Sequence, residues 1–574
     1  MKKSVSLVSI VTLTMLLFGG CGDGVEFDDS VSQLKDNGYI ENSQTQWQNT
    51  TIIYSSHNES LKKLETNDYT LLAWSESGMH CMDGSDYSVF SILPPYSTLK
   101  AQLLVNGASP RLVNSDVSIT YEAVQKDDGS INSTSTGKTN FWNYLPKLFP
   151  KAGSIDEDKG LKGKPTQSTQ PEPMDYNRSY NVYIAEGIPT VPQNDDGKAD
   201  EYPMVKVVAK DKSGNILAQT TTVLPVSDEM NCAKCHSSKI NVLQKHDRNF
   251  PNAVKDNKSA LAKKGFVYND AGLKATANGG TPVLCASCHK TGMIKDSGIS
   301  GVKPLTEAMH GAHAYRNDPE TGTLLGDSSN RHSCYSCHPG ESTKCLRGAM
   351  GSAEDSNGDY KIDCQSCHGS MEAVAQHSRE GWSDEPNCQA CHQDGKRYDK
   401  AVTDTDKGTL RAALDTRFAT EKTPADTDNR LYKHSMGHGG VACAGCHGSQ
   451  HAIYPSSLPE DNAQNIKLQG YKGTLRECGV CHKNDRVVSV ANGPHGIHTV
   501  GQKWVDIHGT VVLRDGTSNC KSCHGSDLGG SVLSKVGTDR IFKLGVMKKE
   551  IGFKAGESVA CNKCHNDNIM GVSQ

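Results

Sequence analysis

Apolar and polar positions alternate in short runs over the first part of the chain, and the pattern then gives way. The runs 69–74, 87–93, 99–105, 117–124 and 180–185 are rich in β-branched and aromatic residues, have strand length and end in turn residues, so they predict strands. Runs 204–209 and 216–223 flank Lys212-Ser213-Gly214-Asn215 and predict a hairpin. Several short strands separated by turn clusters suggest one or two small sandwiches rather than an α/β enzyme domain. Between them, 151–173 is rich in Lys, Gly, Ser, Thr and Pro and is expected to be an exposed loop or linker. From about residue 229 onward Gly, Asn, Asp, Ser and Lys dominate, and few apolar runs are long enough to build a core.

What replaces the apolar runs is a repeated motif. Cys-x-x-Cys-His occurs nine times, anchored by Cys232, Cys235 and His236; Cys285, Cys288 and His289; Cys334, Cys337 and His338; Cys364, Cys367 and His368; Cys388, Cys391 and His392; Cys443, Cys446 and His447; Cys478, Cys481 and His482; Cys520, Cys523 and His524; and Cys561, Cys564 and His565. This is the attachment signature of c-type haem: two thiols add to the porphyrin vinyl groups, and the adjacent imidazole becomes the proximal iron ligand. Zinc knuckles, redox dithiols and structural disulfides also use Cys-x-x-Cys, but none requires His after the second Cys. Nine haem c groups are therefore expected, with the porphyrins themselves serving as the core. The expected fold is multidomain: a lipoprotein-type signal over 1–20, a β-rich, sandwich-like region over 21–228, and a haem-packed, loop-rich domain with short helices over 229–574.

Sixth ligands decide whether such haems carry electrons or do chemistry, because an iron with both axial sites filled cannot bind substrate. Of 22 histidines, nine are proximal and His57 and His80 lie in the β-rich half. His246, His310, His313, His332, His377, His434, His438, His451, His495, His498 and His508 remain as distal candidates, a slight excess over nine irons. That supply favours a conduit of mostly bis-His haems. The alternative is a reductase of a small nitrogen or sulfur oxyanion with one five-coordinate haem.

Three cysteines lie outside the motifs: Cys21, Cys81 and Cys345. Cys21 follows Lys2, Lys3, an uncharged stretch and Gly19-Gly20, as in a lipoprotein signal, so export and a membrane anchor through a lipid on Cys21 are expected. Cys81 and Cys345 are left as a disulfide or as two free thiols. A formal net charge of −4 gives no basic face for nucleic acid. Asp355, Asn357, Asp359 and Asp363 alternate oxygen side chains as Ca2+ loops do, without the usual Gly and closing Glu.

Longer phrases carry a resemblance. Gly78-Met-His-Cys-Met-Asp, Phe90-Ser-Ile-Leu-Pro-Pro, Val223-Leu-Pro-Val-Ser-Asp-Glu-Met-Asn-Cys232, Cys446-His-Gly-Ser-Gln-His-Ala-Ile-Tyr-Pro and Gly493-Pro-His-Gly-Ile-His-Thr-Val-Gly-Gln resemble outer-surface multihaem c-type cytochromes of metal-respiring bacteria. The resemblance implies bis-His electron conduits, with His451, His495, His498 and His508 matching the downstream ligand positions. It also implies partner cytochromes as donors and an extracellular acceptor such as a metal oxide or quinone. A homo-oligomer or end-to-end filament is a further architecture open to such a chain.

Overall fold

The computed structural model describes residues 68–84, 86–232, 235–236, 278–294, 296–353, 362–376, 379, 386, 388–393, 396–412, 431–483, 494–545 and 549–565. All lie within one contact unit, Leu61–Gln574. The signal segment, Cys21, His57, His246, Asp355, Asn357, Asp359 and His377 fall outside the described residues.

Nine strands of the β-rich half form two antiparallel sheets: β1 (Tyr69–Ser75), β2 (Tyr96–Val105), β3 (Arg111–Val113), β4 (Val117–Ala123), β5 (Glu172–Pro173), β6 (Asp175–Asn177), β7 (Val182–Pro189), β8 (Met204–Asp211) and β9 (Ile216–Val223). One sheet runs β1-β2-β7-β6, with β3 also on β2; the other runs β9-β8-β4-β5. Leu71, Leu99, Ala101, Leu103 and Ala185 of the first sheet and Ile119, Tyr121, Val205 and Val207 of the second share one apolar core. The predicted hairpin is β8–β9. In its turn Asp211 accepts from the Ser213 and Asn215 amides, each at 2.8 Å, and Gly214 takes φ 88°, where a side chain would be strained.

Two segments differ from expectation. Within 87–93 only Phe90–Ser91 is a strand. The backbone donors there are taken by a carboxylate instead of a ladder: Asp83 accepts from the Ile92 amide at 2.8 Å, the Leu93 amide at 2.9 Å and the Ser91 hydroxyl at 2.7 Å. Tyr87 turns inward onto Phe141, edge to face, with centroids 5.0 Å apart. The segment 151–173 is loop and turn over most of its length and largely exposed, but a part of it around Asp158 and Thr166 folds onto the sheets. Asp158 gathers the hydroxyls of Thr134, Ser135 and Thr166, and Thr166 and Gln167 are buried. A polar composition can be internal when its hydrogen bonds close on one another.

The central strand β2 is buried on both faces, which positions the haem motifs. Leu99, Ala101 and Leu103 face the core, whereas the side chains between them meet the second half of the chain. Gln102 accepts from the Ala442 amide at 2.8 Å and donates to Gly440 O at 3.2 Å, and Leu72, Trp74 and Leu104 pack on Ala442 and Ala444. The helix Cys443–His447 is thereby seated on the sheet. At the strand ends, Thr70 donates to Val480 O at 2.7 Å and the Gly107 amide to Cys481 O at 3.1 Å, fixing the Cys478 motif. Short parallel pairings, Val226–Ser227 with His80–Cys81 and Val283–Leu284 with Phe90–Ser91, lead into the Cys232 and Cys285 motifs. The β-rich half thus serves as a platform for four of the attachment motifs.

A buried ion pair ties the halves further. Arg347, with its side chain 1 % exposed, forks onto Asp461 at 2.7 and 3.0 Å, donates to Gly78 O at 2.5 Å, and lies over the Tyr202 ring at 5.2 Å. Glu229 makes a second clasp. Its carboxylate accepts from the Gly340 and Glu341 amides at 2.9 Å, holding the loop after His338. Although burial opposes it, these donors and Thr343 lower the Glu229 carboxyl to about 2.

Candidate haem sites

Around the motifs, secondary structure is brief because the motif itself is one helical turn. Cys364–His368, Cys443–His447 and Ser518–His524 are short helices ending on Gly369, Gly448 and Gly525, at φ 79°, 88° and 87°. Cys285–Ser287, Ser333–Ser336, Cys388–Ala390, Cys478–Val480 and Cys561–Lys563 are 3-10 turns. Asp363, a Ca2+ candidate from the sequence, has another use. Its carboxylate caps the Cys364 helix through the Ser366 amide at 2.8 Å and pairs with Arg331 at 2.5 Å. Among the described residues no group of His, Cys, Asp and Glu is arranged to hold a metal ion by itself.

Six proximal imidazoles each face one distal candidate among the described residues. Ring centroids are separated by 6.1 Å for His338 and His310, 6.2 Å for His368 and His451, and 6.0 Å for His482 and His438. They are separated by 5.9 Å for His447 and His495, 6.2 Å for His524 and His498, and 5.8 Å for His565 and His508. A metal held about 2 Å from the nearer nitrogen of each of two opposed imidazoles separates the centroids by about 6 Å. The spacing therefore fits one iron per pair, and it recurs at six motif histidines, each opposite a distal candidate. His565 and His508 direct Nε2 at Nε2 across 3.5 Å.

Orientation and protonation agree with this use. Nδ1 lies on a backbone carbonyl at 2.8 Å in His310 (Thr306 O), 2.9 Å in His498 (Thr499 O), 2.7 Å in His508 (Val505 O) and 2.9 Å in His524 (Val559 O). A carbonyl can only accept, so the ring proton sits on Nδ1 and Nε2 keeps its lone pair. Burial pushes His338, His447 and His498 down to about 4 and His368 to about 3, so these rings are neutral at ordinary pH. His451 and His495 adopt left-handed backbone at φ 61° and 56°. Such conformations are uncommon outside glycine and concentrate at functional sites.

Other candidates stand apart. On the helix Leu305–His313, His313 points Nδ1 at Met309 O at 2.7 Å, one turn from His310. His332 lies against Tyr335 at 6.4 Å, directly before its own motif. His434 has its own set of neighbours in the β-rich half. Its ring stacks on Tyr180 at 4.0 Å, and its Nδ1 accepts from the Lys100 ammonium at 3.1 Å, itself paired with Glu76. Accepting at Nδ1 leaves the ring proton on Nε2, the atom a distal ligand needs free. His80 is buried against Pro94 O at 2.7 Å and is held at about 4 by burial.

Successive motifs lie side by side. Burial raises the Cys367 thiol to about 12, with Cys391, Cys364 and Cys388 adding to it, and raises Cys446 to about 12, with Cys481 and Cys443 adding. Burial likewise raises Cys443 to about 11, where Cys388 contributes, and Cys232 to about 11, where Asp83 and then Cys337 contribute. Cys561 is raised by burial and then by Cys520. Thioether formation would consume these thiols, but their proximity orders the motifs in space largely as in sequence. The sequence singles out Cys345 as a cysteine outside the motifs but not its neighbour: its sulfur sits 3.6 Å from Nδ1 of His451, and no motif links the two. Cys345 and Cys81 are unbridged, and burial, with Cys345 and Glu229 nearby, raises the Cys81 thiol.

Repeated Cys-x-x-Cys-His turns, with imidazoles set opposite six of them, define a multihaem cytochrome of the electron-transport class. Residues 360–574, which carry six of the motifs, match the family described as outer membrane cytochrome MtrC/MtrF-like, domains II/IV, in keeping with the resemblance to outer-surface multihaem cytochromes. No curated protein matches the chain. No helix among the described residues is long and apolar enough to cross a membrane.

Proposed function

We propose that the chain is a nine-haem conduit that moves electrons from a periplasmic or outer-membrane donor to an extracellular acceptor such as a metal oxide, a quinone or another cytochrome. The observation that carries this reading is the set of six opposed imidazole pairs. Bound haem supplies the one-electron iron couple. The chain's contribution is attachment through the motif cysteines, axial ligation by imidazole on both faces, and exclusion of exogenous ligands from the iron. His310, His438, His451, His495, His498 and His508 are the distal ligands in this account, and His313, His332, His246 and His377 are left to serve His236, His289 and His392. The side-by-side order of the motifs supplies a path. A bis-His arrangement also disfavours the oxyanion-reductase alternative, which needs an open axial position.

The anchor is proposed to be a lipid on Cys21, which would hold an exported protein at the outer membrane. Lys2, Lys3 and the uncharged stretch before Cys21 support this. Intact-mass analysis with a pyridine haemochrome assay tests both parts together. The expected product is a chain beginning at Cys21, carrying lipid and nine covalent haems. Six or fewer haems in a matured sample would sink the count, and an unlipidated N-terminus would remove the anchor.

A further inference from the structure

We infer that Cys345 is a positioning residue for the sixth ligand His451 and that it sets the reduction potential of the haem attached at Cys364 and Cys367 apart from its neighbours. The inference rests on the conduit reading, because it requires His451 to ligate iron opposite His368.

The geometry is specific. Cys345 Sγ lies 3.6 Å from His451 Nδ1. With Nε2 committed to iron, the ring proton is on Nδ1, and the thiol sulfur is its acceptor. The contact is built in from several sides. The Arg347 and Gly348 amides donate to His451 O at 3.0 and 2.7 Å, and Arg347 is locked by Asp461. A Cβ on Gly78 would lie 1.5 Å from Gln450 O, so a glycine is required where the bend after β1 passes the turn bearing His451. His451 is held in left-handed backbone, at φ 61°. The turn that carries its ring is therefore held in place from both sides.

The contrast with five other rings read as axial gives the contact its consequence. In His289, His310, His498, His508 and His524, Nδ1 sits 2.7 to 2.9 Å from a backbone carbonyl. A carbonyl is a strong acceptor that draws the Nδ1 proton, makes the imidazole a better donor to iron and favours the ferric state. Thiol sulfur is a weak acceptor. The His451 imidazole is accordingly the poorer donor, and its iron is the more easily reduced. A side chain, unlike a carbonyl, can be removed by substitution.

The test compares the holo-protein with Cys345→Ala and Cys345→Val by electron paramagnetic resonance and by a potentiometric titration followed in the haem bands. His451→Ala first identifies which low-spin component belongs to this haem, because that component should be lost and one high-spin haem gained. In both Cys345 variants, the same component should shift its g values and its reduction step should move to higher potential while the others stay in place. If His451→Ala produces no high-spin haem, the ligation reading fails and the inference falls with it. If His451→Ala behaves as expected but the Cys345 variants leave that component unmoved, the inference alone is overturned. Variants that fail to load nine haems, or that move all components alike, would make Cys345 a packing residue and would equally overturn it.

Discussion

Replacing His495 by Ala is expected to turn one low-spin haem into a high-spin haem that binds carbon monoxide, in about one copy per chain. The reason is local: His495 stands 5.9 Å from His447, and with its ring gone no imidazole faces His447 from that turn. Because His495 has φ 56°, Ala at this position bears the usual left-handed cost of about 1–2 kcal/mol, so His495→Gly is the companion variant. Gly relaxes the backbone yet also lacks the ligand. Both variants should therefore give the same new high-spin signal, and Gly, which sheds the left-handed cost that His and Ala both carry, should give the more stable turn. A Gly variant that stayed fully low-spin would remove His495 from the ligand set.

The second large effect is expected at Arg347. Arg347→Met deletes a guanidinium that satisfies Asp461 and Gly78 O in the interior, leaving a buried carboxylate whose remaining side-chain partner is the Ser456 hydroxyl at 2.6 Å. Removing one partner of a buried pair costs about 3–5 kcal/mol. The double variant Arg347→Met with Asp461→Leu should recover much of that loss, because it removes the stranded charge. Denaturant titration of the holo-protein measures both. Arg347 also donates its amide to His451 O, so limited proteolysis of the single variant should open the chain near that turn first.

The sheets could be read from the chain because their pattern is local. β1, β2, β4 and the β8–β9 hairpin alternate or run apolar over their full lengths, and Asp211 and Gly214 are recognisable turn residues. The segment 87–93 has a strand's composition but not its ladder, because its apolar residues face a core while Asp83, four residues upstream, takes the backbone donors a ladder would use. The segment 151–173 looked like linker since polar composition does not reveal that Asp158 and Thr166 satisfy each other internally. Lys100 and Gln102 are polar residues in a strand whose second face docks the haem half, a contact made over more than 300 positions of sequence.

For the sites, the motif made every attachment cysteine and proximal histidine identifiable as a candidate, since three residues within five positions carry the chemistry. Counting histidines gives a pool of distal candidates, but not the pairing. His451 faces His368 and His498 faces His524 because the chain folds back between them, and no local pattern encodes that return. The same reasoning explains His434. Its setting beside a motif looked like that of a ligand, whereas its neighbours Lys100, Glu76 and Tyr180 come from the β-rich half.

Carbon monoxide titration of the fully reduced, unmodified protein is the most direct test of the conduit account. If imidazole fills both faces of essentially every iron, no stoichiometric carbon monoxide complex forms and the oxidised protein shows low-spin signals only. Binding at one haem per chain would contradict the account and place an open, substrate-accessible iron in the molecule.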